Sequence, residues 1–314
     1  MVVYTAQDAE FAEPVFKEFA ARNAIAVLPK YDAESTKTVG LVTTLIEERG
    51  RPRADVFWNN EILNTIRLEK LGLLESFSPE VAASYPAMYR AANGDWHGFA
   101  ARARILIVNT KLVAQAERPR SIEDLADPKW RGRTGIAKPL FGSTATHAAC
   151  LFAAWGDERA EAFFKRLNAN RIQVLGGNKQ VAVAVGNGQL GFGMTDTDDA
   201  LEEIRSGQPV EIVYPDQGSN GLGTLFIPNT LAIMKGCPHP AAAQRMIDYL
   251  LSPEVEAKLA IGPSAQIPLN PRVAVKPKVE TPETIKAMKV DFPAAADKWD
   301  TAAKFLRDEF TGAE

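Results

Sequence analysis

The chain has 314 residues, of which 46% are hydrophobic and 24% charged, a balance that excludes a disordered or low-complexity protein and fits about two α/β-sized cores. A formal net charge of −3 gives nucleic acid and anionic membrane surfaces no electrostatic reason to bind, so neither is expected as a partner. No apolar run approaches the roughly 18 residues that cross a bilayer, so no spanning helix is expected.

Strands and helices alternate from the start. Val2 to Thr5 reads as a strand, and Ala9 to Arg22 places Phe11, Val15, Phe16 and Phe19 on one helical face. Ile25 to Lys30 is the next strand, Thr38 to Glu48 the next helix, and Ala54 to Trp58 a third strand. This βαβαβ order predicts a mostly parallel sheet. After a break at Ala92-Asn93-Gly94-Asp95, a long strand runs from Gly98 to Asn109. Ser121 then caps a short helix to Ala126, Gly135 to Ala137 is a strand, and helices cover Ser143 to Trp155, Ala160 to Ala169 and Lys179 to Gly186. Leu190 to Met194, Ile212 to Tyr214 and Thr224 to Met234 are strands, Ala241 to Leu251 is a strongly periodic helix, and a final helical region ends the chain. No linker is long enough to separate independent domains.

The first strand follows directly on Met1; an initiator Met replacing a cleaved export signal and a native cytosolic start both give such a sequence. Cys150 lies in an apolar helix and Cys237 in a Gly-Cys-Pro-His-Pro turn. Bridging them needs Cα atoms within about 7 Å, so both are read as unpaired thiols.

The segment richest in chemistry is Gly191 to Ala200, where an apolar strand delivers Thr195, Asp196, Thr197, Asp198 and Asp199 to the start of a helix. In open α/β sheets ligands bind beyond the carboxyl ends of strands, so this cluster marks a candidate site. Helix capping by Asp196 or Thr197, with acidic residues in the first turn, is the structural alternative. Ser143 and Thr144 open another helix, either as caps or as part of an anion-binding N-terminus. In Arg102-Ala103-Arg104, strand alternation sends both guanidinium groups to one face. Trp58, Asn59 and Asn60 end a strand, where the amides can meet a ligand and Trp58 can form an apolar or cation-π wall or simply pack the core. P-loop, Gly-x-Ser-x-Gly and His-Glu-x-x-His motifs are absent, and His97, His147 and His239 are scattered.

Five segments in order carry a family resemblance: Val3-Tyr4-Thr5-Ala6; Ala54-Asp55-Val56-Phe57-Trp58; Trp96-His97-Gly98-Phe99 before Arg102-Ala103-Arg104; Asp124 to Arg133; and Asp248-Tyr249-Leu250-Leu251-Ser252-Pro253-Glu254. From about Val2 to about Pro271 the chain resembles periplasmic solute-binding proteins of ABC importers, in the type-II group that includes the ferric-ion-binding proteins. The resemblance implies a two-lobed type-II periplasmic-binding-protein fold, α/β, with mixed, mostly parallel sheets flanked by helices and two crossing hinge strands. Lobe I would comprise 1–101 and 228–271, and lobe II 102–227 and 272–314, closing over a ligand. It further implies a monomer that is periplasmic, or extracellular and membrane-associated, whose signal peptide is absent from this sequence, a partnership with ABC permease subunits, and no cofactor.

The chain departs from the iron binders where they carry an adjacent tyrosine pair: Thr195 to Asp199 stands there, with Phe141 where a further tyrosine is sometimes found. The family's N-terminal histidine would fall at Asp8 and its carboxylate at Asn60 or Glu61. Family members use an arginine like Arg102 to hold an anion, a surface or interlobe salt bridge being the alternative for it, and Arg104 is read as structural. Asp8, Glu61, Asp196 and Asp198 would suit a hard cation, or an ammonium, while Arg102 and the Ser143 helix start suit an anion. The expected ligand therefore carries both signs, as a metal ion with a companion anion or as an organic zwitterion. An enzyme on the same scaffold and a sensory module docking on a receptor are the alternative functions.

Overall fold

In the computed structural model, which describes residues 1–32 and 37–311, the chain is partitioned into two units. The first comprises Met1–Ala101 and Ile227–Lys278, the second Arg102–Phe226 and Val279 onward. In chain order the first unit contains β1 (Val2–Thr5), α1 (Ala9–Asn23), β2 (Leu28–Tyr31), α2 (Val39–Glu47), β3 (Val56–Asn59), α3 (Leu63–Lys70) and β4 (Leu74–Glu75). Strand β5 (His97–Asn109) carries the chain into the second unit, which adds β6 (Thr134–Ala137), α4 (Gly142–Trp155), α5 (Asp157–Ala169), β7 (Gln173–Leu175), α6 (Asn178–Gly186), β8 (Phe192–Asp196), α7 (Thr197–Arg205) and β9 (Val210–Val213). Strand β10 (Phe226–Met234) returns the chain to α8 (Pro240–Leu250) and α9 (Pro253–Ile261); α10 (Phe292–Asp297) and α11 (Trp299–Phe305) then complete the second unit. No described helix is long and apolar enough to cross a membrane. Cys150 and Cys237, one in each unit, are not disulfide-bonded.

Both sheets are mixed. In the first unit β1 pairs in parallel with β2 and β3, while β10 runs antiparallel to β3 and β4. Every residue of β3 is buried, as expected of a parallel strand covered on both faces. Trp58 belongs to that core. It is 0% exposed, meets Phe16 edge-on at 5.6 Å between centroids and lies 5.4 Å from Phe99, so its ring packs the interior rather than forming a ligand wall.

In the second unit β6 lies parallel to β7 and β8, and β5 runs antiparallel to β8 and β9. Gly193 permits this packing: a Cβ there would stand 2.5 Å from the Val181 side chain and 2.8 Å from the Gly135 carbonyl. An aromatic cluster joins α4, α5 and α11, with Phe152 close to Phe164 and Phe305, and Phe164 against Phe310.

Elements α3, β4, β7 and α9 were not anticipated by the sequence reading. Strand β2 begins three residues later than the periodicity suggests, with Leu28 62% exposed. Ser121 does cap its short helix, as half of a reciprocal capping box with Asp124.

Candidate functional site

The register of β5 against β8 places Arg104 directly opposite Asp196, a cross-strand pair of opposite charge. Arg104 Nη1 donates to Asp196 Oδ1 at 2.7 Å, to Ser143 Oγ at 3.1 Å and to Asn178 Oδ1 at 3.1 Å, while Nη2 donates to Thr144 Oγ1 at 3.0 Å. The other Asp196 oxygen accepts from the Ser143 hydroxyl at 2.6 Å and from Asn178 Nδ2 at 3.1 Å. Burial pushes the Asp196 carboxyl upward, but the Arg104 and Arg102 guanidinium groups and the Ser143 hydroxyl outweigh it and hold the group below its ordinary value. Asp196 is therefore a counter-ion whose oxygens are already engaged, in place of the open metal ligand the sequence suggested.

Around this hub the remaining candidates sort by position. Arg102, two residues from Arg104 and on the same strand face, brings Nη1 to 3.7 Å from Asp198 Oδ2, with side-chain exposures of 7% and 10%. Thr195 Oγ1 lies 3.0 Å from the Asn178 carbonyl and 3.1 Å from Asp199 Oδ2. Carboxylate oxygens of Asp196, Asp198 and Asp199 all fall within 4.8 Å of one another. The Thr197 hydroxyl is fully buried and accepts from the Ala103 backbone N–H at 3.3 Å, which assigns it to the scaffold.

Three helices begin at this cluster. The residue before each of α4, α6 and α7, respectively Phe141, Gly177 and Asp196, makes no side-chain capping bond. Ser143 and Asp196 are thus not the caps the sequence offered as an alternative, because both side chains are turned onto the Arg104 network. The positive ends of the three helices converge there, since Asn178 at the start of α6 touches Ser143 at 2.8 Å and Asp196 at 3.1 Å. Asn178 escaped the sequence reading, although Gly176-Gly177 before a helical run is a signal for such a start. On α4, burial and then the Arg104 charge push the buried His147 imidazole down to about 3.

The first-unit candidates form local structure. Asp8 precedes α1 and pairs with Lys37 at 2.7 Å. Asn60 accepts from the Thr38 hydroxyl at 2.9 Å. Glu61 is fully buried and accepts from the backbone N–H of Leu63 at 2.6 Å and of Asn64 at 3.1 Å, and from Asn59 Nδ2 at 2.9 Å. That carboxylate caps α3 in the manner of an N-terminal acidic residue. Asn59 also donates to Thr65, so Asn59 and Glu61 act together as a helix-start network where the sequence proposed ligand contacts. Two surface cavities, about 440 Å³ beside Trp155 and Gly218 to Leu222, and about 190 Å³ between Leu45 and Lys235, include none of the candidates. In the larger, Glu123 is taken by Arg159 and Arg166 and Asp216 by Ser121.

Residues 15–287 match the model of the bacterial extracellular solute-binding protein family. The chain belongs to that family. Iron uptake protein A1 of Synechocystis sp. is 25% identical over 287 residues, covering 87% of this chain and 78% of the relative. The iron-bound structure of HitA from Pseudomonas aeruginosa superposes with a TM-score of 0.88 at 27% identity, over 98% of both chains. The fold also matches AfuA from Actinobacillus pleuropneumoniae, solved with fructose-6-phosphate, at a TM-score of 0.86 and 22% identity over 99% and 98% of the two chains. This solute-binding protein thus has the type-II periplasmic-binding-protein fold and is a substrate-binding component of the ABC-importer kind, in a family of binding proteins.

Proposed function

We propose that this protein captures a small polar solute at the second unit's Arg104 cluster in the periplasm, as a monomer, and presents it unaltered to the permease subunits of an ABC importer. Arg102, Thr195, Asp198 and the helix start at Ser143 and Thr144 are assigned to the solute, with Asn178 and Asp196 holding them in place and Arg104 doing so through its Nη groups. The observation that carries this reading is the convergence of two buried guanidinium groups, clustered carboxylates and three uncapped helix starts at the carboxyl end of β8. Such preorganised charge binds without reorganising when the solute arrives. Binding without catalysis fits the proton inventory. The Ser143 hydroxyl donates to an Asp196 carboxylate whose affinity for protons is depressed, and so lacks a base strong enough to activate it. His147 is likewise a weak base.

Native mass spectrometry of the protein purified from its own cells should detect a retained solute. Titrating that solute into Arg102→Ala and Asp198→Ala should show affinity lowered at least about tenfold for each, about 1.4 kcal/mol. Unchanged affinity in both variants would overturn the site assignment.

A further inference from the structure

We infer that the solute is a small organic zwitterion, an acid that also carries an amine, and not a ferric ion. The inference rests on reading the Arg104 cluster as the solute site and deepens that reading.

Charge is the first constraint. Two guanidinium groups and three carboxylates share the cluster, so the formal balance is one negative charge. A simple anion would increase that excess, whereas a singly ionised acid with its own ammonium adds no net charge. Asp196 is removed from the set of available ligands because Arg104, Ser143 and Asn178 engage both its oxygens. Asp198, 3.7 Å from Arg102, and Asp199, which accepts from the Thr195 hydroxyl, are the carboxylates that would face an ammonium, each with an oxygen within 4.8 Å of the other.

Donors are the second constraint, and they require an acidic group. Arg104 is 1% exposed, and its Nε–H has no acceptor among the described residues. That open donor shares a guanidinium plane with the Nη groups that reach the starts of α4 and α6. With Arg102 on the same strand face and the first turns of α4, α6 and α7 uncapped, an oxyanion finds both charge and oriented N–H groups. A ferric ion, by contrast, finds no available phenolate in this unit. Tyr214 is the second unit's one tyrosine, and its hydroxyl accepts from the Glu280 backbone N–H.

Calorimetric titration of the full chain tests this with an aminoalkylphosphonate series and α-, β- and γ-amino acids, against alkylphosphonates lacking the amine, alkylamines lacking the acid, and ferric citrate. At least one zwitterion should bind ten times or more tightly than either of its halves, and Asp198→Asn should reduce it to the level of the amine-free acid. Ferric citrate should give neither a stoichiometric transition nor a charge-transfer band. Equal affinity for the amine-free acid, stoichiometric ferric binding, or no saturable binding by any zwitterion would overturn the inference. The comparison between ligands needs no variant, so it stands even where Asp198→Asn folds poorly. If ferric citrate binds and both Arg102→Gln and Asp198→Asn abolish it, only the solute class fails. If the bound probe is indifferent to both substitutions, the site itself is elsewhere.

Discussion

Arg104 and Asp196 form a buried ion pair whose value lies in what would follow from breaking it. The pair is satisfied on nearly every side by Ser143, Thr144 and Asn178, and removing one partner of such a pair leaves an uncompensated charge inside the protein. Asp196→Ala should therefore cost about 3 to 5 kcal/mol of stability in urea unfolding. Neighbouring His147 gives the molecule a pH dependence of definite sign. Its folded value of about 3 lies below the ordinary 6.5, so the unfolded chain binds the extra proton between those limits and stability falls as pH drops below about 6.5. Between pH 7.5 and pH 5 this one group should remove about 2 kcal/mol. His147→Gln should flatten the unfolding-versus-pH curve by that amount. A slope identical to wild type would show that the imidazole takes up its proton over the same pH range in the folded and the unfolded chain.

At the scale of elements, Glu256 on α9 shows how a side chain can hold backbone from distant parts of one unit. Its carboxylate accepts from the N–H groups of Ala100 at 2.6 Å, Leu269 at 3.0 Å and Asn270 at 2.8 Å. Burial pushes its carboxyl above the ordinary value against the pull of those three donors. Ala100 itself sits within β5 at φ 43°, a left-handed geometry that costs a non-glycine residue about 1 to 2 kcal/mol, and Asn229 Nδ2 donates to its carbonyl. Glu256→Ala would strand three buried donors, so a loss of at least about 3 kcal/mol is expected, with faster hydrogen exchange at the Ala100, Leu269 and Asn270 amides. Unaltered exchange at those amides would refute the clamp. The same element explains what could be read in advance. Helices α4, α5 and α8 carry an apolar face or an apolar run that marks them in the sequence. Helix α9 announces itself by Ser252-Pro253, a cap followed by proline at the first turn, a signal the periodicity did not draw out. Helix α3 gives less warning, because Ile62 occupies the position before it and the capping carboxylate comes from Glu61.

For the molecule as a whole, the acidic run after β8 was readable because a strand-to-helix junction is local in sequence. Its neutralisation was not, since Arg104 lies 92 residues from Asp196 and only the strand register brings them together. That distinction separates fold from binding and can be measured. Arg102 and Asp198 stand 3.7 Å apart, beyond a direct hydrogen bond, whereas the Arg104 to Asp196 contact is 2.7 Å. Arg102→Ala and Asp198→Ala should consequently lower the melting temperature of the ligand-free protein less than Asp196→Ala does, while removing its response to solute. Solute at a hundred times its Kd should add about 2.7 kcal/mol to the wild type by mass action, a shift of several degrees in differential scanning calorimetry. Neither variant should show that shift at the same concentration. A variant that loses as much stability without solute as Asp196→Ala, or gains the full increment with it, would move that residue out of the binding set and into the scaffold beside Arg104.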